Sequence, residues 1–164
     1  MKKTQKRLGN KGFSLVELIV VIAIMAVLVG VLAPTLIKNV EKSRESTDVQ
    51  NLDSMRGAIV TMISNEKNYD ALVPTTGDAV YKVTFTSSGC TISSISGAPS
   101  DPTTGFSTRQ TALQDELFET VGNFKAKSKT ATGKDIQFTV SNLGKVSATF
   151  NGATPKYVDT FTIE

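Results

Sequence analysis

The stretch KGFSLVEL, residues 11–18, opens the apolar run on which the rest of the sequence depends. Residues 18–33 contain no charged side chain and nothing more polar than Gly30. As a helix that rises about 1.5 Å per residue, the segment starting at Phe13 is long enough to cross a hydrocarbon core of roughly 30 Å. The sequence therefore predicts a long N-terminal helix that is inserted in a membrane at one stage.

One carboxylate, Glu17, interrupts this apolar segment near its start. An ionised carboxylate at the centre of a membrane helix costs about 2.5–3.5 kcal/mol on insertion scales, and less near an interface, so such residues usually have a partner. Cleavage after Gly12 would give Phe13 a positive α-amine one helical turn from Glu17, and a neighbouring copy would offer the same group. The sequence therefore predicts that proteolysis creates the cation with which Glu17 pairs.

These residues resemble the precursors of type IV pilins, in which glycine is followed by Phe, Ser or Thr, Leu, a branched apolar residue, Glu and a long apolar helix. The resemblance implies that a prepilin peptidase cuts between Gly12 and Phe13 on the cytoplasmic side of the membrane and methylates the amine of Phe13. It also implies that Glu17 directs each incoming subunit to the terminal amine of its neighbour in a growing filament. Methylation leaves that amine charged, so the attraction survives it.

The resemblance further implies a function, a location and a set of partners. The chain would be the major pilin of a Gram-positive, clostridial-type pilus, a surface filament for adhesion, motility or biofilm formation. It would cross the cytoplasmic membrane once, with its N-terminus in the cytoplasm, and become extracellular on assembly. Its partners would be further copies of itself, the membrane, prepilin peptidase, the pilus assembly machinery and minor pilins.

The positive charge of the 164-residue chain comes from its N-terminus. The net charge is +3, and five of the 18 Lys and Arg lie in residues 1–12, which contain no acid. Without this leader, 13 basic side chains face 15 acidic ones, so the processed chain is slightly acidic. The leader predicts orientation, because basic residues stay on the cytoplasmic side. No basic patch that would predict nucleic-acid binding remains, and the short run Lys125, Lys127 and Lys129 is expected to be solvated.

The absence of histidine and the presence of a single cysteine exclude several classes of chemistry. Catalysis by Ser-His-Asp or Cys-His sets needs histidine, and the usual zinc clusters need several Cys or His. We therefore predict no catalytic residue, no metal site, no cofactor and no enzymatic activity. The single cysteine, Cys90, cannot form the disulfide found in many Gram-negative pilins, and its β-type neighbours predict a small buried strand residue.

The sequence predicts four regions and an α+β fold. Residues 1–12 are a leader, 13–33 a transmembrane stem, 34–66 the amphipathic second half of the stem helix, and 67–164 a β-rich head. Gly30 and Pro34 predict a kink in the stem, because proline removes an amide donor and clashes with the carbonyl four residues back. The resemblance to pilins implies that this Gly-Pro region loosens when the subunit leaves the bilayer and packs into the filament; an ordinary helix kink at the membrane exit is the alternative.

The expected architecture is the pilin ladle fold, with one long kinked N-terminal helix packed on a small antiparallel β-sheet that carries an inserted short helix. The charged stretch between Val40 and Val49, with Arg44 and Asp48 spaced as an ion pair, is predicted to be a solvated face, with a filament contact as the alternative. Ser107 and Gln110 have the spacing of a capping box. The predicted elements are the stem helix to about residue 66, a helix at 109–121, and strands at 79–86, 90–95, 135–140, 146–150 and 156–163.

Other classes of protein share parts of this N-terminal pattern. A secretory signal peptide would place its cleavage box at residues 31–33, but Pro34 would follow the cut, Glu17 would interrupt the apolar region, and that region is too long. A plain membrane anchor, with Glu17 reaching the headgroups, leaves the Lys-Gly-Phe-Ser junction unexplained. A pseudopilin of a type II secretion or competence system shares the leader and stem. A membrane-anchored binding domain that never polymerises would keep its leader, and a soluble enzyme is the weakest alternative.

Overall fold

The computed structural model describes residues 13–164, so the leader and Gly12 lie outside the described residues. The described residues divide into two compact units, residues 13–39 and residues 40–164. The long helix α1, Leu15–Ile63, contributes to both units.

In the first unit, α1 is apolar and passes through Pro34 as an interior residue. Proline lacks the N–H that would bond the carbonyl of Gly30, so the helix is weakened at this turn. A Cβ built on Gly30 meets no atom within 4 Å, so the lack of a side chain there is not required by contacts within the subunit. The kink at Gly30 and Pro34 stays a prediction.

In the second unit, α1 is amphipathic, as predicted. Leu52, Met55, Ile59 and Met62 recur at helical spacing and are buried. The helix ends at Ile63, slightly before the predicted residue 66, and a second helix, α2, Glu66–Leu72, follows directly.

The segment predicted only to end the stem helix instead begins this second helix. The side chain of Asn65 accepts a hydrogen bond of 3.0 Å from the backbone N–H of Lys67. Asparagine is among the best N-cap residues, so it favours a new helix at this point rather than a loop.

A five-stranded antiparallel sheet forms the other layer, in the order β2-β1-β3-β4-β5. Alternate residues of β1, β3 and β4 are buried, and the residues between them are partly or fully exposed. This alternation is typical of an antiparallel sheet with one face on a core and one in water. The strands are β1 Asp78–Thr86, β2 Gly89–Ser96, β3 Ile136–Ser141, β4 Val146–Phe150 and β5 Thr162–Ile163.

The inserted helix α3, Phe106–Val121, lies against β2 and begins earlier than predicted. Its N-cap is Gly105, with no side-chain cap, so the predicted capping box of Ser107 and Gln110 is wrong. Gln110 instead donates a hydrogen bond of 2.7 Å to the carbonyl oxygen of Ile92 on β2. Phe106 is buried in the core, and its burial extends the helix at the N-terminal end.

One hydrophobic core joins the amphipathic part of α1 to the buried face of the sheet. Tyr81 stacks on Phe138 with ring centroids 4.9 Å apart, and its hydroxyl donates a hydrogen bond of 2.8 Å to the carbonyl oxygen of Leu72. Burial raises the pKa of Tyr81 well above its usual value. The α+β class, with a long N-terminal helix and a small antiparallel sheet, agrees with the pilin fold and is confirmed.

Cys90 is buried in β2, as predicted, and we expect it to be unreactive in the folded protein. Burial, and secondarily the charge of Asp115, raise the pKa of the thiol to about 11. Because the thiolate is the nucleophile, alkylation by iodoacetamide at pH 8 should be at least about tenfold slower than in the urea-unfolded chain. Equal rates in the two states, followed by mass spectrometry, would contradict the buried position.

Candidate functional site

The first turn of α1 is closed by a reciprocal pair of hydrogen bonds. The hydroxyl oxygen of Ser14 accepts from the backbone N–H of Val16 at 3.3 Å, and Oε2 of Glu17 accepts from the backbone N–H of Ser14 at 3.0 Å. A Ser three residues before a Glu, with the Glu side chain bonded back to the Ser N–H, is the capping-box pattern. The sequence-based prediction missed this role of Glu17, although the spacing of Ser14 and Glu17 was the signal for it.

The cap uses only part of the hydrogen-bonding capacity of Glu17. Within residues 13–164, the only hydrogen bond recorded for its side chain is the one to Ser14 at Oε2. Phe13, immediately before the cap, is 92 % exposed. An ionised carboxylate has about four lone-pair sites, so Glu17 keeps acceptor capacity at an accessible helix start.

The surface of α1 beyond this cap is apolar and uncovered. The large apolar side chains from Leu15 to Ile37 are each 47–73 % exposed. The helix is long and apolar enough to cross a membrane. Soluble monomers rarely expose a contiguous apolar patch larger than a few hundred Å², so this surface requires lipid or protein around it.

The predicted site residues therefore fall into two groups. Phe13 and Glu17 lie together at the start of the helix, whereas Gly30 and Pro34 lie farther along it, with Pro34 about 25 Å of helix from Glu17. Gly12 lies outside the part of the chain that the structure describes.

A second group of carboxylates on α1, which the sequence-based prediction assigned to solvent, is bonded to the head. Asp48 is fully buried. Its Oδ1 accepts from the backbone N–H of Lys127 at 2.8 Å, and its Oδ2 accepts from the N–H and the hydroxyl of Ser128 at 2.8 and 2.6 Å. We call Glu41, Glu45 and Asp48 the carboxylate clamp.

Glu45 holds a different part of the head. It is also fully buried, and it accepts hydrogen bonds from the backbone N–H groups of Lys156 and Tyr157, the latter at 2.7 Å, and from the Thr130 hydroxyl at 2.9 Å. Burial raises the pKa of Glu45, but these hydrogen bonds to the charged form outweigh it, so the pKa lies below its usual value. Glu41 completes the clamp by accepting from the backbone N–H of Lys129.

The clamp corrects two predictions. The stretch between Val40 and Val49 is not simply a solvated face, because two of its acids are buried against the head. Arg44 does not pair with Asp48. Its guanidinium Nη1 lies 3.6 Å from Oε2 of Glu41. The spacing of the three acids, four and then three residues apart, places them on one face of a helix and was the available signal.

The clamp also explains why the last strand does not begin at residue 156, as predicted. The backbone N–H groups of Lys156 and Tyr157 donate to Glu45, so they are not available to a sheet. Only Thr162–Ile163 pairs with β4, where residues 156–163 were predicted to form a strand.

The described part of the chain offers no sign of a metal centre. Among residues 13–164, no group of three or more Cys, Asp or Glu is placed to hold a metal ion. The carboxylates of the cap and of the clamp accept hydrogen bonds from backbone N–H groups, and those of the clamp accept also from the hydroxyls of Ser128 and Thr130.

A capped acid at the start of an exposed apolar helix, followed by a β-rich head, is the arrangement that the resemblance to pilins predicts. Residues 7–33 match the prokaryotic N-terminal methylation motif, which is characteristic of type IV pilins and their precursors. The resemblance found from the sequence is confirmed over this stretch. The motif implies processing by prepilin peptidase and association with the membrane. No curated protein and no solved structure gives a significant match.

Proposed function

We propose that this chain is the major structural subunit of a type IV pilus. In this proposal prepilin peptidase removes residues 1–12 by cutting between Gly12 and Phe13 and then methylates the new amine of Phe13. The processed subunits polymerise through the N-terminal helix into a surface filament. The methylation motif at residues 7–33 is the observation that carries the proposal.

The exposed apolar helix supports polymerisation by a simple exchange of surroundings. Before assembly, lipid covers the apolar side chains from Leu15 to Ile37, and after assembly the helices of neighbouring subunits cover the same side chains. The exchange keeps apolar surface away from water at every stage, so it carries no large hydrophobic cost.

Glu17 makes this exchange directional. A carboxylate among packed helices is tolerated only when it is paired and hydrogen bonded, and the cap formed with Ser14 leaves Glu17 with unused acceptor capacity. In the proposal, the methylated amine of Phe13 of a neighbouring subunit fills that capacity. Assembly machinery and minor pilins would act on this same end of the subunit.

The N-terminus of protein sheared from the cell surface tests the proposal. We expect mass spectrometry to find a chain that begins at methylated Phe13, because Gly12 and Phe13 resemble the cleavage junction of pilin precursors and lie within the matched motif. A Gly12→Val variant, with a bulky side chain at the cut, should retain the leader and stay in the membrane fraction. Recovery of the wild-type chain with its leader intact would contradict the proposal and would favour a membrane-anchored binding domain.

Electron microscopy of the same sheared material separates the pilus from the related pseudopilus. Long filaments that contain the processed chain are expected for a major pilin. A processed chain that forms no long surface filament would indicate a pseudopilin of a secretion or competence system.

A further inference from the structure

Residues 124–129 of the head carry three exposed lysines at alternate positions, in a segment that has no regular secondary structure and ends in a bend and a turn at Ser128 and Lys129. Lys125, Lys127 and Lys129 are exposed, whereas Phe124 and Ala126 are partly buried against the core and Ser128 is fully buried. We call the three lysines the lysine strip. Its alternation is set by the core beneath it, so the three charges face solvent together.

The carboxylate clamp holds this strip along α1. The backbone N–H of Lys127 is bonded to Asp48, and that of Lys129 to Glu41. These two acids are seven residues apart, which is about 10 Å of helix. The strip therefore runs beside two turns of α1, with Lys129 at the end nearer the apolar part of the helix.

The acids beside the strip do not form ion pairs with its lysines. Glu41, Glu45 and Asp48 accept from backbone N–H groups, and Glu41 is in addition close to Arg44. In residues 13–164, the ion pairs of lysine join Lys82 to Asp135 and Lys145 to Glu164. The strip lysines are absent from those pairs, and their ammonium groups remain available to an external anion.

Few residues of α1 separate the strip from the predicted transmembrane stem. Glu41 follows residue 33, the last residue of the predicted transmembrane stem, by eight residues, or about 12 Å of helix. The headgroup region on each side of a bilayer is about 5–8 Å deep. The chain between the stem and the strip is therefore short enough that, with the stem inserted, the ammonium groups at the ends of the flexible lysine side chains can reach the lipid phosphates on the outer side.

We propose that the lysine strip binds the headgroups of anionic phospholipids and so holds the head of the unassembled subunit against the outer surface of the membrane. This inference rests on the membrane-inserted stage of the proposed function. A basic side chain near an anionic surface contributes about 1 kcal/mol, or about fivefold in affinity, so three of them contribute about a hundredfold.

The test uses the full chain, one copy per nanodisc, with a fluorophore on Asn123→Cys in a Cys90→Ala background. Asn123 is exposed and lies two residues before the strip. Lipids that carry a nitroxide on the headgroup quench the fluorophore when the strip contacts them. We expect stronger quenching in discs that contain phosphatidylglycerol than in discs of phosphatidylcholine alone.

A matched pair of triple variants identifies the charges responsible. Replacing Lys125, Lys127 and Lys129 by glutamine should reduce the phosphatidylglycerol-dependent part of the quenching by about tenfold or more. Replacing Lys67, Lys82 and Lys145 by glutamine removes the same charge elsewhere on the second unit and should leave it unchanged. Equal quenching in the two lipids, or an equal loss in both variants, would overturn the proposal.

Two further measurements distinguish lipid binding from the binding of free phosphate and from a failure of the helix to insert. Inorganic phosphate should reduce the quenching no more than sodium chloride at the same ionic strength, and a stronger effect of phosphate would indicate a site for the free ion rather than lipid. A fluorophore on Leu28→Cys, with nitroxide on the lipid acyl chains, reports insertion of the helix. Its failure to be quenched would contradict the proposed function, whereas quenching of this reporter alone would overturn only the lysine strip.

Discussion

Replacement of Glu17 by glutamine should lower the yield of surface filaments by about a hundredfold or more, while processing and membrane insertion continue. Removing one partner of a buried ion pair costs about 3–5 kcal/mol, which at each subunit contact corresponds to more than a hundredfold in affinity. Glutamine also serves at this position of a capping box, so the hydrogen bond to the N–H of Ser14 is retained. Filaments are measured by shearing and electron microscopy, and processing by the mass of the membrane-bound chain.

The glutamine variant separates the charge of Glu17 from its role in capping the helix. Glu17→Ala removes both, and it should also block assembly without blocking processing. Glu66→Gln removes an exposed acid in the first turn of α2 and should assemble normally. Normal filaments from Glu17→Gln but not from Glu17→Ala would show that the cap, rather than the charge, is required. Abundant normal filaments from both variants would refute the pairing with Phe13.

Replacement of Asp48 by alanine should lower the free energy of unfolding of the second unit by about 3–4 kcal/mol. The change leaves three donors without their acceptor, namely the backbone N–H groups of Lys127 and Ser128 and the hydroxyl of Ser128. Asp48 and Ser128 are both fully buried, so water does not easily replace the lost oxygen atoms. Urea unfolding of the full chain in detergent, followed by circular dichroism, measures the loss.

Asp53, on the same helix, provides the control for this prediction. Its carboxylate is exposed, and its Oδ1 lies 3.1 Å from Nη2 of Arg56. Exposed pairs of this kind contribute little, so Asp53→Ala should change the free energy of unfolding by less than about 0.5 kcal/mol. Asp48→Asn keeps one acceptor oxygen and should fall between the two. Equal stability of Asp48→Ala and Asp53→Ala would show that the clamp does not hold the segment at residues 127–129.

The elements that were predicted well are those whose signal is local. The apolar run after Glu17, the amphipathic stripe at Leu52, Met55 and Ile59, and the alternation in β1 each repeat with the period of their own secondary structure. The end of α3 at Gly122 was also predicted, because glycine commonly follows the last residue of a helix. In the structure Gly122 has a positive φ of 71°. Such patterns can be recognised without knowing what lies opposite them.

The predictions that failed concern polar groups whose partners are distant in sequence. Asp48 and Ser128 are 80 residues apart, and Glu45 and Tyr157 are 112 residues apart. A charged side chain on a helix is more often solvated than buried, so the sequence favoured the solvated interpretation for both acids. The prediction of too long a final strand has the same cause. The backbone N–H groups of Lys156 and Tyr157 bond to the side chain of Glu45 rather than to a neighbouring strand.

The sequence by itself determined the apolar N-terminal helix, its single carboxylate and the methylation motif, because each is a property of adjacent residues. Only the tertiary structure decided the order of the strands, the burial of Glu45 and Asp48 and the placement of the lysine strip. The strand order depends on pairings between distant segments, and the burial of the two acids depends on which backbone N–H groups remain unbonded after the sheet forms. A carboxylate becomes buried where folding brings such donors to it. The local sequence around the acid, or around the donor, does not predict this contact.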